Sequence, residues 1–259
     1  MSGFLPTAYE LAKHLAARMD FPAGEQLDLA KVAQYYSVVG GRVTLDQELH
    51  GIFDRDYPLT SLHTSLAQVP APLLVVTTNY DDLIERAFTA QGREYDVVVH
   101  STDPFSDCIL WQPHGAPEPH EVNPNKLDID LQKTTVVYKM HGAVDRRQTG
   151  RDQYVITEDD YVDFLARMTK NKAIPAIFAE PFQTRHFLFL GYSLSDWNLR
   201  VVLNRIEKDL RRRRGIASWA VRLNASPLEK LFWQERGVML YDLLIEDFVA
   251  ALVAPRGEA

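Results

Sequence analysis

The chain of 259 residues has a single cysteine, Cys108. One thiol excludes a disulfide framework within the chain and a four-cysteine zinc ribbon. Its Cys-Ile-Leu-Trp context reads as that of an inert buried thiol. Cationic charge is also short. The 28 Lys and Arg against 35 Asp and Glu leave a net charge of -7. That balance argues against a dedicated nucleic-acid surface, which needs clustered positive charge. No apolar run approaches the ~20 residues of a membrane-spanning helix, and no charged-then-apolar leader opens the chain. There is no Gly-x-Ser-x-Gly nucleophile elbow and no His-x-x-x-His helix pair. Internal repeats and low-complexity linkers are absent too. The expectation is a soluble, cytoplasmic protein with no metal centre, no membrane segment and no direct nucleic-acid binding.

What the chain does have is centred on Leu73 to Phe88, LLVVTTNYDDLIERAF. Four apolar residues stop at two threonines, an Asn-Tyr-Asp-Asp cluster follows, and apolar residues return at helical spacing. The pattern predicts a buried strand, a tight polar turn and the opening of a helix. In an open α/β sheet, ligands bind beyond the carboxyl ends of strands, so Asn79 and Asp81 stand where a crevice is expected.

Upstream, Leu11, Leu15 and Met19 recur at four-residue spacing behind a Thr7–Glu10 capping box, which predicts a first helix. Residues 28–67 read as largely helical, punctuated at Gly40-Gly41 and Pro58. Together these make a small helical module over about residues 7–68. Downstream, EYDVVVH (94–100) and TTVVYKM (134–140) predict strands. Residues 101–132 form the longest irregular stretch, broken by CILW, and so a candidate binding loop. DQYVITEDDYVDFLARM predicts a short strand and a helix from near Thr157, and 174–183 a further helix. RHFLFL (185–190) predicts a strong strand leading into a helix capped by Ser195 or Asp196. Arg211 to Arg214 then read as charge favoured at that helix's C-terminus. SWAVRL, SPLEKLFWQERG, VMLYDL and residues 247–253 predict strand, helix, strand, helix. The fold class expected is α/β, a Rossmann-like, mostly parallel sheet with helices on both faces, over about 72–253. The whole chain, 1–259, is expected to be one domain.

Three predicted strands end in polar groups: Thr77-Thr78-Asn79-Tyr80-Asp81, Met140-His141-Gly142 and Gly191-Tyr192-Ser193. In a parallel sheet these ends share one side and can converge. An Asn amide can both donate to and accept from sugar hydroxyls or a water, and His exchanges a proton near neutral pH. Gly191 permits close backbone approach, and the helix start at Ser195/Asp196 offers free N–H groups. Such a set suits a ribose-containing ligand better than a peptide. Each element also has a plain structural reading, namely an Asx turn and helix cap at Asn79 and Asp81, a turn histidine at His141, and a turn and cap at 191–196. A second His-Gly-Ala at His114 competes with His141, but it does not follow a long β-branched strand.

TTNYDDLIERAF, VYKMHGAVD, VITEDDY and FLFLGYSLSDWNL, in this order, resemble the sirtuin-like domains of bacterial anti-phage defence proteins. The resemblance runs from about Gly3 to the closing strand and helix. It implies an NAD-binding Rossmann-like domain with an inserted helical module, and cleavage of the nicotinamide–ribose bond of NAD+ as substrate. By position, Asn79 matches the catalytic Asn that holds the ribose and a water, and His141 the catalytic His that acts on the ribose hydroxyls. Thr78 and Asp81 belong to the same cluster, and Gly191, Ser193 and Asp196 to the adenosine side of the pocket. Zinc-dependent deacylases of the family carry four cysteines, so the resemblance favours NAD hydrolysis over deacylation. Binding of NAD or ADP-ribose without cleavage stays open as the alternative. The family's opening Gly-Ala-Gly-x-Ser turn has no counterpart here; Ser2-Gly3-Phe4-Leu5-Pro6 resembles the residues that follow it. The resemblance further implies defence by NAD depletion, under control of a homo-oligomer or of a separate sensor or activator polypeptide.

Overall fold

A computed structural model describes residues 4–103, 105–148, 150–169, 174–192 and 218–254. They fall into two units, Met1–Leu59 with Ala67–Ala176, and Thr60–Leu66 with Ile177–Ala259.

The first unit opens with three helices, α1 (Ala8–Arg18), α2 (Leu29–Gly40) and α3 (Arg42–Phe53). The Thr7–Glu10 capping box forms as its spacing predicts, with both reciprocal bonds present. Asp28 caps α2 by accepting from the Ala30 and Lys31 amides. Gly41 separates α2 from α3 at φ +87°, a conformation that costs glycine nothing. Leu11, Leu15, Val32, Leu45 and Leu49 are each at most 3% exposed. They share a core with Tyr80, Val144, Tyr154 and Ile156, so the helical module packs onto the loops that follow the first and last parallel strands of this unit.

Those strands are β1 (Leu74–Thr77), β2 (Tyr95–His100) and β5 (Thr135–Lys139), with α5 (Leu83–Ala90) crossing from β1 to β2 and α6 (Glu158–Thr169) following β5. With β3 (Ile109–Gln112) and β4 (His120–Val122), the strand order is β1-β5-β2-β3-β4. β1, β5 and β2 run parallel. Such strands are buried on both faces, and every residue of β5 is buried.

Three expectations are corrected in this unit. The stretch 101–132 is not simply irregular: β3 (Ile109–Gln112) and β4 (His120–Val122) extend the sheet antiparallel to β2. Cys108, just before β3, is half-buried rather than buried. The predicted strand over DQYVI is instead an extended segment with no ladder of its own. Its Gln153 and Val155 amides donate to the Ala143 and His141 carbonyls at 3.0 and 2.9 Å.

The second unit carries a parallel sheet of order β6-β7-β8, formed by β6 (Leu188–Leu190), β7 (Ser218–Val221) and β8 (Val238–Tyr241). Its helices among the described residues are α4 (Ser61–Ala67, all but its last residue), α7 (Ala179–Thr184), α8 (Pro227–Glu235) and α9 (Ile245–Val253), with the last two residues of a 3-10 turn at Ala176–Phe178. The predicted helix over 174–183 is thus a 3-10 turn running into α7. Ser226 and Glu229 form a capping box at α8, and Trp233 is fully buried against Phe189, Ala220 and Val238. The chain is therefore α/β with helices flanking mixed and parallel sheets. Among the described residues, no helix is long and apolar enough to cross a membrane.

Candidate active site

The parallel register decides which groups meet at the carboxyl edge of the first sheet. Thr77 is the register partner of Lys139, so Asn79 and His141 each lie two residues beyond the last matched pair of adjacent strands. His100, the last residue of β2, lies one step beyond the Val99–Lys139 pair. Three strand ends therefore supply an amide and two imidazoles to one edge.

On the β1 side, Asn79 is exposed and Thr78 half-buried. The Asn79 amide donates to Thr77 Oγ1 at 3.1 Å, which leaves its side chain free of that turn. Asp81 is 5% exposed, and its Oδ1 accepts from the Leu83 amide at 3.0 Å. That bond satisfies an orphan donor of the first turn of α5. Asp81 thus supports the turn that presents Asn79.

On the β5 side, the backbone is fixed at Gly142, which sits at φ +88°. A Cβ there would collide with the Gln153 carbonyl. This close approach seats the 153–155 segment against the His141–Ala143 backbone. His141 is 3% exposed. Its ring stands edge-on to Tyr161 and Phe164 of α6, with centroids 5.7 and 5.5 Å apart. Burial holds its pKa down to about 3, so the imidazole is neutral at physiological pH. Its Nε2 has no hydrogen-bond partner among the described residues.

Sequence reasoning missed His100. It is 2% exposed, edge-on to the same Phe164 ring at 5.0 Å, and its Nδ1 also lacks a partner among the described residues. Burial, then the charges of Arg167 and His141, push its pKa to about 3. A signal existed. YDVVVH alternates in burial, which puts Asp96, Val98 and His100 on one buried face.

Lys139 was missed as well. Only 1% exposed, it pairs with Glu85 at 3.1 Å and donates to the Asp81 carbonyl. Burial raises the Glu85 carboxyl and the Lys139 charge opposes it. The pair ties β5 to α5 beneath the Asn79 turn.

The helical module clamps the loop after β5 from outside. Arg146 donates to Asp54, Asp56 and Asp82 at 3.0, 2.7 and 3.0 Å. Arg42 donates to Asp160 at 2.7 Å and to the Tyr154 carbonyl at 2.8 Å. Asp152 accepts from His50 at 2.9 Å and from the Asp145 amide at 2.7 Å.

A cavity of about 650 Å³ opens elsewhere in this unit, lined by Glu85, Tyr95, Val97, Leu110, Arg146 and Arg147 among others. Val97 and Val99 line it, and they alternate along β2 with the face that carries His100. Neither Asn79 nor His141 lines it. Its arginines are already engaged: Arg146 with three carboxylates and Arg147 with the Pro117 carbonyl and Gln112 Oε1. The unsatisfied nitrogens at the strand ends carry more chemical weight than this volume.

Gly191, at φ +72°, follows β6 in the second unit, where its amide donates to the Val221 carbonyl at 3.1 Å. Ser193, Asp196 and the helix expected after them, with its arginine run, lie outside the described residues.

The SIR2-like domain family matches residues 73–241. The chain belongs to the SIR2-like family. The match begins at the approach to β1 and ends at the last residue of β8, so it takes in Asn79, His100, His141 and Gly191. Among curated relatives, NAD(+) hydrolase ThsA of Cytobacillus dafuensis is 30% identical over 196 residues, 76% of this chain and 34% of the relative. NAD(+) hydrolase ThsA of Enterococcus faecium is 31% identical over 208 residues, 78% of this chain and 37% of the relative. Defense-associated sirtuin 2 of Bacillus subtilis is 23% identical over 82% of this chain and 18% of its own length. The chain spans about a third of the length of the ThsA relatives it matches.

Proposed function

We propose that this chain is an NAD+ glycohydrolase domain that cleaves NAD+ to nicotinamide and ADP-ribose and acts in anti-phage defence by depleting NAD. One observation carries the reading: Asn79 and His141 stand two residues beyond a matched register pair on adjacent parallel strands, in a chain similar to proteins named NAD(+) hydrolase. Asn79 holds the ribose and orients the attacking water, while neutral His141 takes a proton from a ribose hydroxyl. The bond between C1′ and the nicotinamide nitrogen breaks with its electron pair on nicotinamide. Positive charge develops on the ribose, which the polarised hydroxyl and the Asn79 amide stabilise. Water then bonds C1′ and its proton restores the ribose hydroxyl, while His141 passes the proton it holds to solvent, so the products are nicotinamide, ADP-ribose and one proton. Thr78 and Asp81 support the Asn79 turn, and Gly191, Ser193 and Asp196 serve the adenosine side. No resident metal takes part. The two units function as one sirtuin-like domain in the cytoplasm, regulated by self-assembly or by another polypeptide.

The test is nicotinamide release from NAD+ followed by chromatography. His141→Ala should lower the rate by at least about 100-fold, as loss of a positioned acid–base group does, and Asn79→Ala by a similar factor of about 100, through loss of substrate and water positioning and of charge stabilisation. Release unchanged in either variant would remove that residue from the mechanism. The burial of His141 beneath Tyr161 and Phe164 favours a second reading, in which the domain binds NAD or ADP-ribose without cleaving it. Calorimetry with intact NAD+ recovered after saturating incubation supports that reading, and recovered nicotinamide rejects it.

A further inference from the structure

His100 has no place in the mechanism above, yet it carries the same anomaly as His141. Both imidazoles are at least 97% buried, and each retains one ring nitrogen without a partner among the described residues, Nδ1 in His100 and Nε2 in His141. A buried polar atom left unsatisfied costs about 1–3 kcal/mol, so two in one place call for a reason. Of the other buried polar side chains around this edge, Glu85 also keeps one oxygen, Oε2, without a partner among the described residues, although its Oε1 pairs with Lys139; the rest named here are bonded. Asp81 binds the Leu83 amide, Asp96 accepts from Trp111 Nε1 and the His114 amide at 2.9 Å each, and Lys139 binds Glu85.

Geometry joins the two rings. They end adjacent parallel strands, and both stand edge-on to one Phe164 ring, at interplanar angles of 88° and 80°. The rest of the surroundings is locked. Arg167, one turn along α6 from Phe164, donates to the carbonyls of Ser101 and Ser106 at 3.1 and 3.0 Å and to that of Asp103. The loop leaving His100 is thereby tied to the helix that carries the shared ring.

We propose that His100 is a positioning residue for His141, its Nδ1 accepting, through one bridging water, from a protonated Nε2 of His141. This rests on the reading of His141 as the base. The bond makes Nε2 the protonated nitrogen of neutral His141 and leaves the lone pair on Nδ1 for the ribose hydroxyl, since the bond at one ring nitrogen sets the tautomer at the other. When Nδ1 gains the substrate proton, the Nε2–H of the imidazolium keeps an acceptor, in a site where burial would otherwise penalise the charge. A buried water with two polar partners is an ordinary way to satisfy such a pair. His100 therefore orients the base as the third member of a nucleophile–base constellation does.

The test uses the full chain with His100→Phe, which keeps a ring against Phe164 and removes the acceptor, and His100→Asn, which keeps an acceptor near the Nδ1 position. Nitrogen-15 NMR of the ring nitrogens reads the tautomer without any turnover. His141 should be a single Nε2–H tautomer in the wild type and in His100→Asn, and a mixture in His100→Phe. In NAD+ cleavage, His100→Phe should lower kcat by about 10- to 100-fold with KM nearly unchanged, the usual scale for loss of an orienting partner. His100→Asn should retain most of the rate. An unchanged His141 tautomer in folded His100→Phe overturns the proposal, as does full activity of that variant where His141→Ala is inactive. Full activity of His141→Ala overturns the base reading instead, and the tautomer measurement then decides the His100–His141 link by itself.

Discussion

Acid should unfold this protein earlier than a chain without its two buried imidazoles, and the size of the effect follows from their environment. In the folded state His100 and His141 both titrate near pH 3, against 6.5 in the unfolded chain. The folded pKa values are depressed, so between pH 6.5 and 3 the unfolded state binds more protons than the native one. Their stabilising contribution is then complete above pH 6.5 and is lost progressively as pH falls towards 3. One pKa unit is worth about 1.4 kcal/mol, and pH 5 lies 1.5 units below the unfolded value, so each histidine costs about 2 kcal/mol there relative to pH 7.5. Two cost about 4 kcal/mol, a large share of the 5–15 kcal/mol typical of a domain.

Carboxylates also titrate in this range, so the measurement has to be a difference. Urea unfolding of the wild type and of His100→Phe, each at pH 7.5 and 5.0, isolates one imidazole, because the carboxylate contributions are common to both proteins. The wild type should lose about 2 kcal/mol more than His100→Phe between the two pH values. Equal losses would show that His100 is not held neutral in the native state. The account of the buried pair would then be wrong at its base.

Lys139→Met should destabilise the chain by about 3–5 kcal/mol in chemical denaturation, because it strands the buried Glu85 carboxylate. Adding Glu85→Gln should recover most of that loss, and no recovery would mean that Lys139 acts through the Asp81 carbonyl instead. Gly142→Ala should cost about 3 kcal/mol or more, since it combines a strained positive φ with a backbone collision at Gln153. Its thermal midpoint should fall with NAD+ cleavage, and a wild-type midpoint would contradict the close approach.

The fold was legible where one physical signal dominated. LLVV, DVVV and TVVY are short Val-containing apolar runs bounded by polar residues, and all three became adjacent parallel strands. The reciprocal pair Thr7–Glu10 marked the start of α1 because a capping box is a purely local bond. The β3–β4 hairpin was illegible for the opposite reason. His120-Glu121-Val122 carries no apolar face, and its strand character comes from pairing with Ile109–Trp111. The segment 152–156 misled in the other direction. Its Tyr154 and Ile156 join the helical module's core rather than a ladder, so a strand-like sequence runs extended with only isolated bonds.

The candidate site divides along the same line. Sequence can name a polar residue at the end of an apolar run, but it cannot say whether that residue is hydrogen-bonded once folded. Asp81, Asp96 and His100 look alike on paper, each a polar group on or beside a buried strand. The fold separates them, because Asp81 is satisfied locally by the Leu83 amide and Asp96 by an indole and an amide brought from β3 and the turn after it, whereas His100 and His141 keep a bare nitrogen each. Lys139 belongs with the satisfied group, but its partner Glu85 lies 54 residues earlier and meets it only because α5 crosses back over the sheet. Buried polar groups that complete one another are architecture. Those that a stable core leaves incomplete, at the edge where parallel strands present their ends, are the ones for which a substrate or a catalytic water remains the physical explanation.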